Sequence, residues 1–480
     1  MLEQTLAISN ELLLVALAIV VACLGLLPGR KPDGRLEVTV ATSGLLLLLV
    51  FNAINGFPAI SAFGGAYKAG PVAQVFKCLF LLSGALTALL SWPANTPRPA
   101  LPGKLIGEHL SLLLLSITGM CFLVSAQELV LLYVSLELVT IPLILLVAFN
   151  RHELRSAEAG MKYVLFSALS SGLLLYGLSI VYGLAGTTDL TAIAPHLHFS
   201  LPAIMALTLI MAGVGFKISA VPFHLWAPDT YEGAPTPVAA FLSVASKAAG
   251  FALFYKLVSA LFGHLADTTV LLLGLLATVT MTAGNLMAIH QTNMKRFLAY
   301  SSIAQAGYLL IGLSNDGELG LAAVSFYLLV YVVSNLAAFG VVTFIAAATG
   351  KEDMRDYVGF SVNNPALAAV MMLAMFSLAG IPPLAGFLGK FYLFAAAAQK
   401  GYYWLVLVGT VNATISLYYY LVVLKHMYLK KPENGQTPIG RMNISWAGTI
   451  ALAISCAAML VVGILPHFLR WTESAAAIGW

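Results

Sequence analysis

Charge is scarce in this chain. Asp, Glu, Lys and Arg make up 9% of its 480 residues and 60% are apolar, whereas a typical soluble domain is roughly 25% charged. That deficit excludes a soluble fold. Cysteine is also sparse: Cys23, Cys78, Cys121 and Cys456 lie far apart inside apolar runs, which speaks against structural disulfides, zinc and iron–sulfur ligation. No Gly-rich nucleotide loop follows a strand. The net charge of +4 is too small to imply nucleic acid. A secretory signal would need a basic start, but Met1 to Asn10 carry only Glu3, so the first apolar run reads as a retained span.

What is present is a series of long apolar runs such as Leu129 to Phe149. In a bilayer every backbone polar group must be satisfied internally, and runs of this length make helices rather than barrel strands. At about twenty residues per crossing, the runs predict an all-α polytopic membrane protein of about fourteen spans. They fall near 11–28, 36–54, 72–94, 109–125, 128–149, 160–183, 202–225, 236–262, 269–290, 296–314, 319–349, 365–397, 403–429 and 445–468. The connections are short, so 1–480 reads as one membrane domain.

Lys and Arg orient it. Loops after odd-numbered spans carry Arg30, Lys31, Arg35, Arg98, Lys104, Arg151 and Arg155, then Lys295, Arg296, Lys351, Arg355, Lys425, Lys430, Lys431 and Arg441, with Lys162 just inside the sixth span. The other side has Lys68, Lys400 and Arg470. The asymmetry places the odd loops on the cytoplasmic side and both termini outside.

Five lysines remain at membrane depth. Lys77 and Lys256 lie within about two turns of the expected outer ends, where a long side chain snorkels to the headgroups. Lys217, Lys247 and Lys390 lie deeper, as does Glu137, roughly 13 Å from the edge of a ~30 Å core. A central charge costs roughly 2.5–3.5 kcal/mol. A buried ion pair fixing helix register would explain Glu137 and one lysine, but it leaves the other lysines without a carboxylate. Burial disfavours the ammonium form of an amine, so such lysines are suited to carry protons. A nearby carboxylate would hold one lysine charged, and neutralising it would send the proton onward by Coulomb coupling. The reading expects the Glu137 carboxylate within about 4 Å of the Lys217 amine or one water away.

Two spans should break. The seventh contains Lys217 and Pro222; the twelfth, about 33 residues long, contains Pro382 and Pro383 before Lys390. Proline removes a helical donor and clashes with the preceding turn, and broken backbone at membrane depth lines protein or water. The breaks stand five spans apart, which predicts two inverted five-helix repeats, spans 4–8 and 9–13. The chain then divides into 1–105, 106–265, 266–430 and 431–480. A relay Lys217, Lys247, Lys390 would run sideways and outward, with Ser301, Ser302, Gln305, Asn412, Ser416 and His290 holding linking waters or making helix–helix hydrogen bonds. His224 beside the first break is either a neutral-pH relay or a satisfied interfacial histidine. Asp229 and Glu232 sit in a stiff cytoplasmic loop, either attracting protons or standing as solvated charges.

The stretch Gly215-Phe216-Lys217-Ile218-Ser219-Ala220-Val221-Pro222-Phe223-His224-Leu225-Trp226-Ala227-Pro228-Asp229 resembles the subunit N family of the proton-pumping NADH:quinone oxidoreductase, respiratory complex I. So do Gln291-Thr292-Asn293-Met294-Lys295-Arg296-Phe297 and Leu378-Ala379-Gly380-Ile381-Pro382-Pro383 with Gly389-Lys390-Phe391. The resemblance runs from about residue 105 to 430. It implies that Glu137 pairs with Lys217, that Lys247 is the central relay and that Lys390 leads outward. It further implies a proton channel coupled to quinone reduction elsewhere, in a bacterial inner membrane, among homologous antiporter-like and other membrane subunits. NADH, FMN, iron–sulfur clusters and quinone would be handled by those other subunits, and this chain would bind no cofactor. The competing reading is a subunit of a sodium/proton antiporter or membrane-hydrogenase complex.

Overall fold

The computed structural model describes residues 7–27, 33–54, 60–93, 101, 103–198, 200–262, 266–315, 317–431, 439–465 and 467–480. Of the basic loop residues used for orientation, Arg30, Lys31 and Arg98 lie outside them, as does Glu3. The spans are α1 (Ser9–Leu26), α2 (Arg35–Ile54), α3 (Pro71–Leu90), α4 (Ile106–Ser125), α5 (Leu129–Val147), α6 (Leu154–Ala185) and α7 (Leu201–Ile218). They continue with α8 (Thr236–Phe262), α9 (Ala266–Ile289), α10 (Met294–Leu313), α11 (Glu318–Thr349), α12 in two pieces (Pro365–Ala379 and Ala385–Gln399), α13 (Tyr403–Leu429) and α14 (Trp446–Ile464). Twelve of these are long and apolar enough to cross a bilayer. The broken α12 and the polar α10, which opens on Lys295 and Arg296, complete the expected fourteen.

Burial sorts the helices into a centre and a rim. The most apolar window of α8 is entirely buried and that of α11 89% buried, against 22% for α1 and 33% for α13. The exposed apolar side chains of the rim, such as Leu165, Leu169 and Tyr176 on α6, suit a surface solvated by lipid. Close approach at the centre depends on small residues. A Cβ at Gly213 of α7 would stand 2.7 Å from the Leu174 Cβ and 2.9 Å from the Ser170 carbonyl of α6.

Local features recur five spans apart. Both α6 and α11 run 32 residues and end on a left-handed glycine, Gly186 and Gly350. In α7 and α12 a left-handed residue, Ser219 or Gly380, stops the helix three positions before Pro222 or Pro383. A π turn interrupts α8 at Leu242–Ser246 and closes α13 at Lys425–Leu429. The residue preceding α5 bridges to the loop after α6 (Glu128 and Asp189), and the residue preceding α10 to the loop after α11 (Asn293 and Asp353). Five is odd, so the second set crosses in the opposite sense.

Several short elements were not expected. The loop after the seventh span contains a helix, Trp226–Gly233, which Pro228 in its first turn does not prevent because no intrahelical donor is needed there. An amphipathic helix, His467–Ile478, follows α14. A two-stranded antiparallel hairpin pairs Ile60–Ala62 with Tyr67–Ala69.

Candidate functional site

Lys217 stands in the last turn of α7. The Ser219 turn ends that helix, with the Ser219 N–H donating to Phe216 O and the Ala220 N–H to Gly215 O. The buried Lys217 amine donates to Thr140 Oγ1 at 2.7 Å and Ser167 Oγ at 3.1 Å. Glu137 lies one turn before Thr140 on α5 and within electrostatic reach of the amine, with its Oε1 buried and unpartnered. The expected 4 Å ion pair is not formed: two hydroxyls take the amine instead, one from α5 and one from α6. Thr140 Oγ1 is itself satisfied as a donor to Leu136 O at 2.7 Å, which leaves its lone pairs for the lysine.

Lys247 follows the π turn of α8. Its buried amine donates to Ser302 Oγ of α10 at 2.7 Å. The π turn itself is held from α11, where Asn335 donates to Ser243 Oγ at 2.6 Å. Lys390, in the second piece of α12, donates to the Ala379 carbonyl at 3.0 Å across the Pro382-Pro383 break, and its amine lies 4.5 Å from the Tyr308 ring centroid. Gly380 leaves room for it, since a Cβ there would stand 3.1 Å from Lys390 Cδ. None of the three amines has a carboxylate oxygen within salt-bridge distance among the described residues.

Ser301, next to Ser302 on α10, opens a hydrogen-bonded group that reaches the helix end held by Lys390. Gln305 donates to the Tyr420 hydroxyl and to Leu378 O, both at 3.0 Å, and accepts from Tyr327. Ser301 and Tyr420 share a 2.6 Å bond. Leu378 O and Ala379 O are successive carbonyls, so Gln305 and Lys390 hold the same helix end from two sides. Asn412 belongs to an adjoining cluster, accepting from Asn285, which also donates to Tyr308. Ser416 turns back on Ala413 O. His224 is buried near Lys247 with Nδ1 unpartnered. His290 does not join: it is exposed just past the end of α9 against Leu286 O, beyond Asn285, the residue by which that helix meets the polar cluster. Thr140, Ser167, Tyr327 and Tyr420 were missed by the sequence reading. Their signal was spacing, with Thr140 three residues after Glu137 and Tyr420 four after Ser416.

Lys217 and Lys390 do not occupy corresponding positions in the two sets. Lys217 stands two residues before Ser219, where the second set has Leu378; Lys390 stands ten after Gly380, where the first has Asp229. Counted from the bridging residues, Glu137 corresponds to Ser302 and Thr140 to Gln305.

Two further expectations need correction. Lys77 and Lys256 do not snorkel: they are 1% and 3% exposed. Lys77 pairs with Glu11 at 2.8 Å, and Lys256 donates to the carbonyls of Val124 and Ala126. Asp229 and Glu232 are not merely solvated. Asp229 is shared by Lys162 at 2.7 Å and Arg296 at 2.6 Å, and Glu232 takes the same guanidinium nitrogen at 3.0 Å. Burial pushes the Asp229 carboxyl up, but hydrogen bonds from Lys162 and Arg296 outweigh it and hold it below the usual carboxylate range. An open polar cavity of about 210 Å³ lies against this cluster.

A polytopic helical bundle with broken helices and deep lysines is the architecture of an ion-translocating membrane subunit. The family described as NADH:quinone oxidoreductase/Mrp antiporter, TM, matches residues 126–416. The NADH-quinone oxidoreductase subunit N of Moorella thermoacetica is 44% identical over 462 residues, covering 95% of this chain and 94% of its own. A chain of respiratory complex I from Thermus thermophilus with bound aureothin is 33% identical, with a TM-score of 0.81 over 98% of this chain and 100% of that one. A chain of the Mrp complex from Dietzia sp. DQ12-45-1b has a TM-score of 0.86 at 20% identity over 99% and 97% of the two chains, a likeness of fold alone. The chain belongs to the subunit N family of NADH-quinone oxidoreductases.

Proposed function

We propose that this chain is a proton-translocating membrane-arm subunit of an NADH-quinone oxidoreductase, working beside other membrane subunits that include homologous antiporter-like ones. The observation that carries this reading is the set of three deep amines, Lys217, Lys247 and Lys390, each held by hydroxyl or carbonyl oxygens. Neutral partners satisfy an amine in either protonation state, since a neutral amine still donates, whereas a carboxylate would lock it charged. An ammonium cannot ligate sodium, so the ion such groups pass on is the proton.

In this reading Glu137 is the modulator. Its field favours a charged Lys217, and neutralising or withdrawing it releases a proton toward Lys247. Thr140 and Ser167 keep the amine placed meanwhile. Lys247 passes the proton through Ser302 and the Ser301, Tyr420 and Gln305 network to Lys390, which opens outward. Nicotinamide, flavin, iron–sulfur clusters and quinone are handled by other subunits, and quinone reduction there drives the transfer. The membrane is the bacterial inner membrane, with both termini on the periplasmic side.

The test uses the assembled complex in sealed vesicles. Glu137→Ala and Lys217→Ala should each lower proton pumping and coupled quinone reduction while the subunit composition stays intact. Normal pumping by an assembled Lys217→Ala complex would overturn the reading.

A further inference from the structure

Lys77 and Lys256 stand apart from the relay, yet they are buried with a built surrounding. Lys77 lies six residues into α3 and Lys256 six residues before the end of α8, so at 1.5 Å per residue both sit about 9 Å from the same end of the bundle. Glu11, in the first turn of α1, is fully buried beside Lys77. The Tyr67 hydroxyl joins them, donating to Glu11 Oε1 at 2.9 Å and accepting from the Lys77 amine at 2.8 Å. The second carboxylate oxygen, Glu11 Oε2, is buried with no hydrogen-bond partner among the described residues.

Lys256 adjoins this trio through one residue. Its amine donates to Ala126 O, and Ala126 forms the bridge with Tyr67. Lys256 is within electrostatic reach of Lys77 and of Lys68, and the thiols of Cys78 and Cys121 are within electrostatic reach of Lys77. The setting of Lys256 repeats that of Lys390. Each amine is satisfied by backbone carbonyl and lies over an aromatic ring, Trp480 at 4.8 Å for Lys256 and Tyr308 at 4.5 Å for Lys390. A pair kept only to fix helix packing would need neither the second lysine nor an unpartnered oxygen, each of which is costly in a membrane.

We propose that Glu11, Tyr67, Lys77 and Lys256 form a second outward-facing proton site, on the α1–α4 and α8 side of the subunit. This rests on the proton-translocating reading above. The transfer balances without a co-reactant. The Lys77 ammonium gives a proton to the Tyr67 oxygen as the Tyr67 hydroxyl proton passes to Glu11, leaving a neutral amine, an unchanged phenol and a carboxylic acid. Glu11 then releases its proton outward and returns to the carboxylate. Lys77 is recharged from Lys256, the neighbouring amine at the same depth on α8.

Arginine separates this from a structural role, because a guanidinium keeps the charge and the donors but does not deprotonate in proteins. Vesicles holding the assembled Lys256→Arg complex should pump fewer protons per NADH oxidised than the unaltered complex. An unchanged yield would overturn the proposal. If Lys256→Arg does not assemble, Tyr67→Phe decides, since it removes one hydroxyl and keeps the ring: a lowered yield supports the site and an unchanged one overturns it. Lys217→Ala in the same preparation keeps the two readings apart. A lowered yield there beside normal Lys256→Arg and Tyr67→Phe removes this site and leaves the relay.

Discussion

The partners of the Lys217 amine are hydroxyls, and this sets what a single substitution can do. Thr140→Val keeps the shape of the side chain and removes one acceptor, leaving a buried donor short of a partner at a cost of about 1–3 kcal/mol. The expected outcome is a complex that assembles with lowered proton pumping, restored by Thr140→Ser, which returns the oxygen. Pumping in vesicles together with the subunit content of the purified complex checks this. Normal pumping by Thr140→Val would mean that Ser167 alone places the amine. Glu137, Lys217, Lys247 and Lys390 were legible in the sequence because a charge inside an apolar run is conspicuous. Thr140, Ser167 and Tyr420 were not, because hydroxyls are common in membrane helices and usually bond their own backbone, as Thr118 and Ser83 do. Lys77 and Lys256 were misjudged because depth along a helix says nothing of what covers it. The hairpin, α1 and the segment beyond α14 close over them.

At the scale of the element, the helix Trp226–Gly233 ties the first broken region to α6 and α10. Trp226 anchors it by donating to Phe216 O at 2.9 Å and stacks on Tyr163 at 4.9 Å. Asp229 ties it to Lys162 of α6 and Arg296 of α10, one cation from each set of spans. The Asp229 carboxyl is held below its ordinary range, so the stability it supplies is present above the unfolded carboxylate value near 3.9 and is lost as pH falls through the lower folded value. Asp229→Asn should therefore lower the thermal stability of the complex near neutral pH, with the difference from the unaltered complex shrinking in acid. Melting curves across pH check it; a difference that grows in acid would contradict the assignment. Both helix breaks were readable from Pro222 and Pro382-Pro383, since proline acts through local sterics. The π turns before Lys247 and at the end of α13 were not, because they are set by packing, as in the Asn335 contact to Ser243.

For the whole molecule, the span count followed from hydropathy and the five-span recurrence from the two breaks. The order of burial did not, because α8 and α13 are similarly apolar and differ in which neighbours surround them. That order puts Lys247 at the centre: the most apolar window of α8 is entirely buried, and the Lys247 amine meets α10, between the surroundings of Lys217 and those of Lys390. The most direct test of the relay is the number of protons translocated per NADH oxidised by the assembled complex carrying Lys247→Met, which keeps the apolar stem and removes the amine. A sharp fall in that yield, with all subunits present, is the expected result. An unchanged yield would contradict the account.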